Sequence, residues 1–427
     1  MSGGAAAGAA VAAPKTVVLD DDPTGTQSAS GVRVLLRWDA DLLTSTLREV
    51  DAVYLQTNSR AVDRATAVAR CRRIRAEVEA ASAALGGPVQ VVLRGDSTLR
   101  GHVFAETDVF TTDDSPVLFV PAFPAGGRTT VDGVHYVRTA TGPVPAHETE
   151  YAADPVFPFR HSDLARYVRD LGWREAFPVP LAEIRSSRGD AVAAALLAAP
   201  GRGVVIPDAE TDEDIDLIHR GLRAAQRRGR PVVVRSAAPL AARCAGAASR
   251  GLLSPPLAEE RGPVLVVCGS HTSGATAQLA ELERRHRPVR LTIDTEAALT
   301  DRTAAGLAVV PDARKALASD GIAVVSSERI RREQHNTLAH GEAVMAALTT
   351  AVRALADDVR VVVAKGGITS AEVASTGLSA ASATVRGQVL PGVSVWDLHV
   401  DSGAATYVVV PGNVGEPGAL VDVVDRL

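Results

Sequence analysis

Asp20-Asp21-Asp22 stands directly before Pro23-Thr24-Gly25, and Arg94-Gly95-Asp96-Ser97-Thr98 repeats the same mixture of charges and hydroxyls further along the chain. Thr57-Asn58-Ser59-Arg60, Arg100, and Arg128 with Thr129 and Thr130 add guanidinium and hydroxyl groups. Arginine grips a carboxylate through a two-pronged fork, and carboxylates accept hydroxyl hydrogens. Together these groups suit a small polyhydroxylated anion. Any one of them could instead cap a helix or fix a turn. It is their gathering at several strand ends that points to a site, with Arg60, Arg94, Ser97, Arg100 and Arg128 as its substrate-binding candidates. Asp21, Asp22 and Asp96 are the carboxylates that could orient a reacting hydroxyl and accept its proton.

A second group is glycine-rich: Gly269-Ser270, Gly366-Gly367 with Thr369, and Gly412-Asn413 with Gly415. Glycine lets backbone N–H groups come close to a phosphate, and a helix N-terminus adds partial positive charge. Lys365 precedes one of these turns. It is one of only three lysines, with Lys15 and Lys315, among 45 basic residues. A lysine at a phosphate loop is one reading of it, and a compositional leftover is the other.

Other signatures are missing. There is no G-x-x-x-x-G-K-[ST] loop, no G-x-G-x-x-G fingerprint and no G-x-S-x-G elbow. His147-Glu148 opens like a zinc-protease motif, but position 151 is Tyr. The scattered histidines show no metal-ligand spacing, so no protein metal site is expected.

These residues need elements to hold them. Lys15–Leu19, Asp51–Gln56, Val89–Leu93 and Val117–Val120 are short apolar runs that each end at one of the polar groups. Between them, Ala61–Leu85 reads as a long amphipathic helix stopped by Gly86-Gly87. After residue 262 the alternation restarts. Val264–Cys268, Ile322–Val325, Arg360–Ala364 and Thr406–Val410 are strand candidates, with a helix over Ala275–His286. Strands alternating with helices imply parallel sheets, and ligands bind beyond the carboxyl ends of such strands. Thr139–Pro158 is rich in Pro, Thr and acids and reads as a long ordered loop.

The fold class is therefore α/β: two domains, each a mostly parallel sheet flanked by helices, with the active site in the cleft between them. The expected boundaries are a disordered tail over 1–14, a substrate domain over 15–253, a linker over 254–262 around Ser254-Pro255-Pro256, and a nucleotide domain over 263–427.

The chain has 427 residues, 46% hydrophobic and 22% charged, with a formal net charge of −5. Such a length holds two or three domains. The acidic balance argues against a nucleic-acid partner. No apolar stretch is long enough to span a bilayer, so no membrane is expected. Cys71, Cys244 and Cys268 are far apart and form no CxxC pair, which suits a reducing, cytoplasmic setting.

The motifs also resemble one family. Asp21-Asp22-Pro23-Thr24-Gly25, Asp96-Ser97-Thr98-Leu99-Arg100-Gly101, Pro121-Ala122-Phe123-Pro124 with Gly127-Arg128-Thr129-Thr130, and His147-Glu148-Thr149 resemble the N-terminal half of the four-carbon acid sugar kinases. Gly269-Ser270, Gly366-Gly367 with Thr369-Ser370, Pro391-Gly392-Val393 and Gly412-Asn413 resemble their C-terminal half. The order is kept from Lys15 to the end. The resemblance implies an N-terminal domain for the sugar acid and a C-terminal domain for ATP, and phosphorylation of the terminal hydroxyl of an acid such as 3-oxo-tetronate, threonate or erythronate. It also implies that Ser270, Gly366 and Gly412 fall at the ATP contacts. Departures occur in the presumed substrate site. Asp20-Asp21-Asp22-Pro23 stands where many members read Ala-Asp-Asp-Leu, and a lysine is often found near the position of Arg94. These leave the particular acid open.

The expected cofactors are thus ATP and Mg²⁺, the partner is a small sugar acid, and a homo-oligomer is compatible with all of this. Two rivals stand beside the kinase: an NAD-dependent oxidoreductase on similar acids, and a non-catalytic sugar-acid sensor. The missing dinucleotide fingerprint counts against the first. The polar strand ends kept in both halves count against the second.

Overall fold

The computed structural model describes residues 14–172, 174–258, 262–330, 337–400, 403–412 and 414–427. The tail expected over 1–14 therefore lies almost entirely outside the described residues, as do Asn413 and residues 259–261 of the expected linker.

The N-terminal half contributes strands β1 (Lys15–Asp20), β2 (Val32–Leu35), β3 (Ala52–Gln56), β4 (Val89–Arg94) and β5 (Val117–Val120). A separate antiparallel sheet follows, made of β6 (Arg128–Val131), β7 (Val134–Thr139) and β8 (Gly142–Pro145). Then come β9 (Ala176–Val179), β10 (Val204–Pro207) and β11 (Val233–Ser236). The C-terminal half adds β12 (Val264–Cys268), β13 (Val289–Ile293), β14 (Ile322–Ser327), β15 (Val361–Lys365), β16 (Ser382–Leu390), β17 (Val393–Val400) and β18 (Gly403–Val410).

Eight strands of the first half run parallel in the order β2-β3-β1-β4-β11-β5-β10-β9, and five of the second in the order β13-β14-β12-β15-β18. Most of these strands are Val-rich and buried along their length, as expected where helices cover both faces. The helix over Arg64–Leu85 starts at Asp63, whose side chain accepts from the Thr66 N–H, and stops at Gly86 with φ 68°. That left-handed conformation is the one glycine adopts without steric cost.

The two parallel halves are not separate sheets. The antiparallel pair β16–β17 continues from β18, and β16 pairs antiparallel with β2, so one 15-stranded sheet runs through the molecule. Across the seam, Trp396 Nε1 donates to Thr26 Oγ1 at 2.9 Å. The described part of the expected linker is also pinned. Leu257 is buried, its N–H bonds the Arg426 carbonyl at 3.0 Å, and Arg386 donates to its own carbonyl.

The long loop expected over Thr139–Pro158 is more regular than its composition suggested. It holds β8 and two short 3₁₀ turns, Ala146–Glu148 and Glu150–Ala153. Pro143 and Pro145 sit in β8, an edge strand of its sheet, where a missing N–H is tolerated.

Candidate functional site

Register decides which strand ends meet. Asp20 at the end of β1 lies level with Arg94 of β4 on one side and Gln56 of β3 on the other. In the other half, Cys268 of β12 is level with Lys365 of β15, and Lys365 with Val410 of β18. The turns that follow, at Gly269, Gly366 and Pro411, are therefore side by side. Both groups open onto a single cleft of about 1140 Å³ lined by residues of the two halves.

On the N-terminal side, Arg94 is the hub. Its side chain is only 1% exposed, and Nη1 donates to Oδ1 of Asp20, Asp21 and Asp22 at 3.1, 3.0 and 3.0 Å. Nη2 donates to Thr24 Oγ1 at 2.9 Å. Burial pushes the Asp20 carboxyl up to about 7 even with Arg94 beside it. Arg94 does not reach the cleft, so the structure places it beneath the site, holding its carboxylates. Asp21 and Ser97 are likewise outside the lining. Arg128 is buried behind it and donates to the Gly126 carbonyl.

Asp22, Arg60, Asp96 and Arg100 do line the cleft. Asp22 Oδ1 accepts from the Thr24 N–H at 2.8 Å and caps the 3₁₀ turn Pro23–Ser28. Capping uses one oxygen of this carboxylate, and the other, Oδ2, pairs with Arg60 beside the Gly366-Gly367 turn. Arg60 pairs with Asp22, and with Asp21 at 3.3 Å and Asp96 at 3.7 Å. Arg100 Nε donates to Asp96 Oδ2 at 2.8 Å, and its Nη1 lies 3.4 Å from Asp154. Burial alone would raise the Asp96 carboxyl. The guanidiniums of Arg100 and Arg60 and the Thr98 hydroxyl outweigh it and hold Asp96 well below the usual carboxylate range.

On the C-terminal side, Ser270, Gly366, Gly367, Thr369 and Gly412 all line the cleft. Their small side chains are required by close approach. A Cβ on Gly269 would lie 2.5 Å from Thr369 Oγ1, and one on Gly412 would lie 2.7 Å from Ser270 Oγ. The turn carbonyls are engaged by the protein. Ser270 O accepts from Arg329, Gly366 O from the Ser370 N–H and hydroxyl, and Gly412 O from Thr272 Oγ1. Thr272 also caps the helix Ser273–His286. Carbonyls held in this way are not turned toward an anion in the cleft, and the Gly366 N–H is itself bonded to the Val410 carbonyl at 2.8 Å. Lys365 is fully buried and is absent from the lining, with Nζ beneath the Pro411–Val414 turn. Asn413 is outside the described residues.

Residue-type reasoning did not reach Tyr151 and Asp154. Both line the cleft from the segment read as a loop, and Tyr151 lies under the Arg100 guanidinium, 5.2 Å from it. The nearby His147-Glu148-Thr149 motif was the signal available. It also did not anticipate the bond across the cleft from Asn58 Nδ2 to Glu372 Oε1, at 2.8 Å.

Comparison with known proteins bears on the same division. Residues 16–244 match the model of a sugar-binding N-terminal domain, and residues 265–420 that of a nucleotide-binding C-terminal domain. The chain is 32% identical over 375 residues to the 3-oxo-tetronate kinase of Methylobacterium radiotolerans, covering 83% of this chain and 85% of that protein. It is 31% identical to the D-threonate kinase of Bordetella bronchiseptica and 32% identical to the D-erythronate kinase of Heliobacterium modesticaldum. Those two matches cover 64% and 66% of this chain, and 63% of each relative's length. The fold is similar to that of a Salmonella typhimurium protein, with TM-score 0.66, 18% identity and coverage of 95% of this chain and 98% of that one. It is also similar to Haemophilus influenzae protein HI1011, with TM-score 0.61, 17% identity and coverage of 96% and 99%.

Proposed function

The chain belongs to the four-carbon acid sugar kinase family, and from that premise we propose that it transfers the terminal phosphoryl group of ATP to the terminal hydroxyl of a four-carbon sugar acid. The observation that carries the reading is the meeting of Asp22 with the Gly366-Gly367 turn, where a carboxylate of one half touches a glycine cradle of the other.

In this reading Arg60 and Arg100 hold the acid's carboxylate. Each guanidinium has five N–H donors, enough to keep Asp96 and still bind a ligand. Asp96 stays ionised and keeps the two arginines in place. Asp22 is the carboxylate that meets the Gly366-Gly367 turn, and in this reading it orients the attacking hydroxyl and takes its proton. The turns at Gly269-Ser270, Gly366-Gly367 and Gly412 hold the phosphates through backbone groups. Phosphoryl transfer needs in-line positioning and charge neutralisation more than covalent help.

Mg²⁺, bound with ATP, would supply part of that neutralisation. Among the described residues no three His, Cys, Asp or Glu side chains gather as a metal cage. The ion would come on the ATP phosphates, with one or two carboxylates completing its shell.

Also among the described residues, no helix is long and apolar enough to cross a membrane. The reading is tested by incubating the protein with 3-oxo-tetronate, threonate and erythronate, each with ATP and Mg²⁺ and separately with NAD. ADP release with at least one acid is the expected result. NADH formation, or no turnover with any of them, overturns it.

A further inference from the structure

Lys365 is among the largest fully buried side chains of the protein, and its ammonium is spent on backbone. Nζ donates to the Pro411 carbonyl at 2.6 Å and lies 3.4 Å from the Val414 carbonyl. Those oxygens bracket the third glycine turn. A second side chain holds the far end of the same turn. Gln278 Nε2, from the helix Ser273–His286, donates to Val414 O at 3.1 Å and Gly415 O at 2.9 Å. Thr272 Oγ1 takes the Gly412 carbonyl at 2.7 Å. The carbonyls of Pro411, Gly412, Val414 and Gly415 thus each accept from a side chain of the protein.

An ammonium is an expensive group to bury, and burial pushes this one down to about 8. Packing alone would be served by a methionine of similar length. A lysine kept here does something a hydrocarbon chain would not do, which is to fix the direction of two carbonyls. A carbonyl turned into the cleft would set its negative end against a phosphate. We infer that Lys365 is a positioning residue for nucleotide: it never touches the phosphates, and by holding the Pro411 and Val414 carbonyls it fixes the backbone that presents Gly412 to the cleft. This rests on the kinase reading and adds a residue that acts through the turn.

The test uses the full chain with Lys365→Met and Lys365→Gln, the second keeping a neutral N–H donor. Binding of a non-hydrolysable ATP analogue with Mg²⁺ is measured by calorimetry, and KM for ATP and for the acid by ADP release. A hydrogen bond from a charged group contributes enough that its loss should weaken nucleotide about ten- to a hundredfold. Lys365→Met should show that loss with KM for the acid within about twofold of wild type, and Lys365→Gln should fall between the two. A residue with only a structural role would lower the melting temperature and leave the ratio of the two KM values alone, and that result overturns the inference. Unchanged analogue affinity in both variants also overturns it, while wild-type binding shows that the kinase reading stands. If Lys365→Met does not fold, Lys365→Gln decides by the same ratio. A wild type that binds no nucleotide analogue removes the kinase reading itself.

Discussion

A Cβ placed on Gly367 would lie 2.3 Å from Asp22 Oδ2, closer than real side chains approach. The carboxylate cannot simply swing aside, because Arg94, Arg60 and Thr24 hold it. Gly367→Ala should therefore push the two halves of the site apart while leaving the fold intact. Misplacement by about 1 Å costs roughly a hundredfold in rate. The expected result is a kcat reduced by about that factor with an unchanged circular dichroism spectrum. Wild-type kcat in Gly367→Ala would mean the contact is not part of the reacting geometry.

The arginines separate by depth. Arg60 and Arg100 are 11% and 19% exposed and face the cleft, whereas Arg94 is 1% exposed and binds three aspartates. Replacing Arg60 or Arg100 by Ala should raise KM for the acid about ten- to a hundredfold and spare KM for ATP. Replacing Arg94 leaves buried carboxylates without their partner, a loss of about 3–5 kcal/mol. Its variant should be poorly soluble or melt much lower. An Arg94→Ala protein as stable as wild type, with only KM for the acid raised, would put Arg94 in direct contact with substrate.

Asp22 and Asp96 should behave differently as Asn variants. Asp22→Asn keeps an oxygen for the Thr24 cap but cannot take a proton, so kcat should fall ~10²–10⁴-fold with acid binding retained. Asp96→Asn removes the charge that holds Arg60 and Arg100, so KM for the acid should rise. Steady-state kinetics on both variants distinguishes the roles. The reverse pattern would exchange them.

Most strand ends that build the site could be read from the sequence because they close continuous apolar runs such as Val17–Leu19 and Val361–Ala364. The β16–β17 pair was not. Ser382–Leu390 alternates buried and half-buried residues and has no such run. The seam it forms with β2 is a long-range pairing with no local signal, so one sheet was read as two. In the site, residue types at strand ends were legible and depth was not. Arg94 and Arg60 look equivalent in sequence. Only the register of β1 with β4 puts one under the carboxylates, while the Ser59–Ala61 turn puts the other beside them. Lys365 looked like a phosphate ligand for the same reason, and its position on a central strand between β12 and β18 buries it.

His135 gives the protein a predictable acid limit. Its ring lies in the small sheet of β6–β8, with Nε2 2.8 Å from the Ser97 carbonyl and Nδ1 3.0 Å from Thr130 Oγ1. Burial pushes its pKa down from 6.5 to about 4, and the bond to Ser97 only partly opposes this. The folded protein thus refuses a proton that the unfolded chain accepts between pH 6.5 and about 4. Wherever the unfolded state binds more protons, stability falls as pH falls, here by a total on the order of 3 kcal/mol. Asp20 has the opposite sign. Its carboxyl, raised to about 7, binds a proton that the unfolded chain releases down to pH 3.8, so its contribution grows on acidification across that range. Asp96 is held so low that its contribution is lost only below the ordinary carboxylate range. Urea melts of wild type and His135→Gln between pH 7 and 4 isolate the histidine, because the Asp20 contribution is common to both. The stability difference between the two proteins should narrow steadily from pH 6.5 downward as wild type loses its neutral-pH advantage. A difference that stays constant across that range would mean His135 takes up its proton in the folded state at an ordinary pH, and the Ser97 loop would then be set by other contacts.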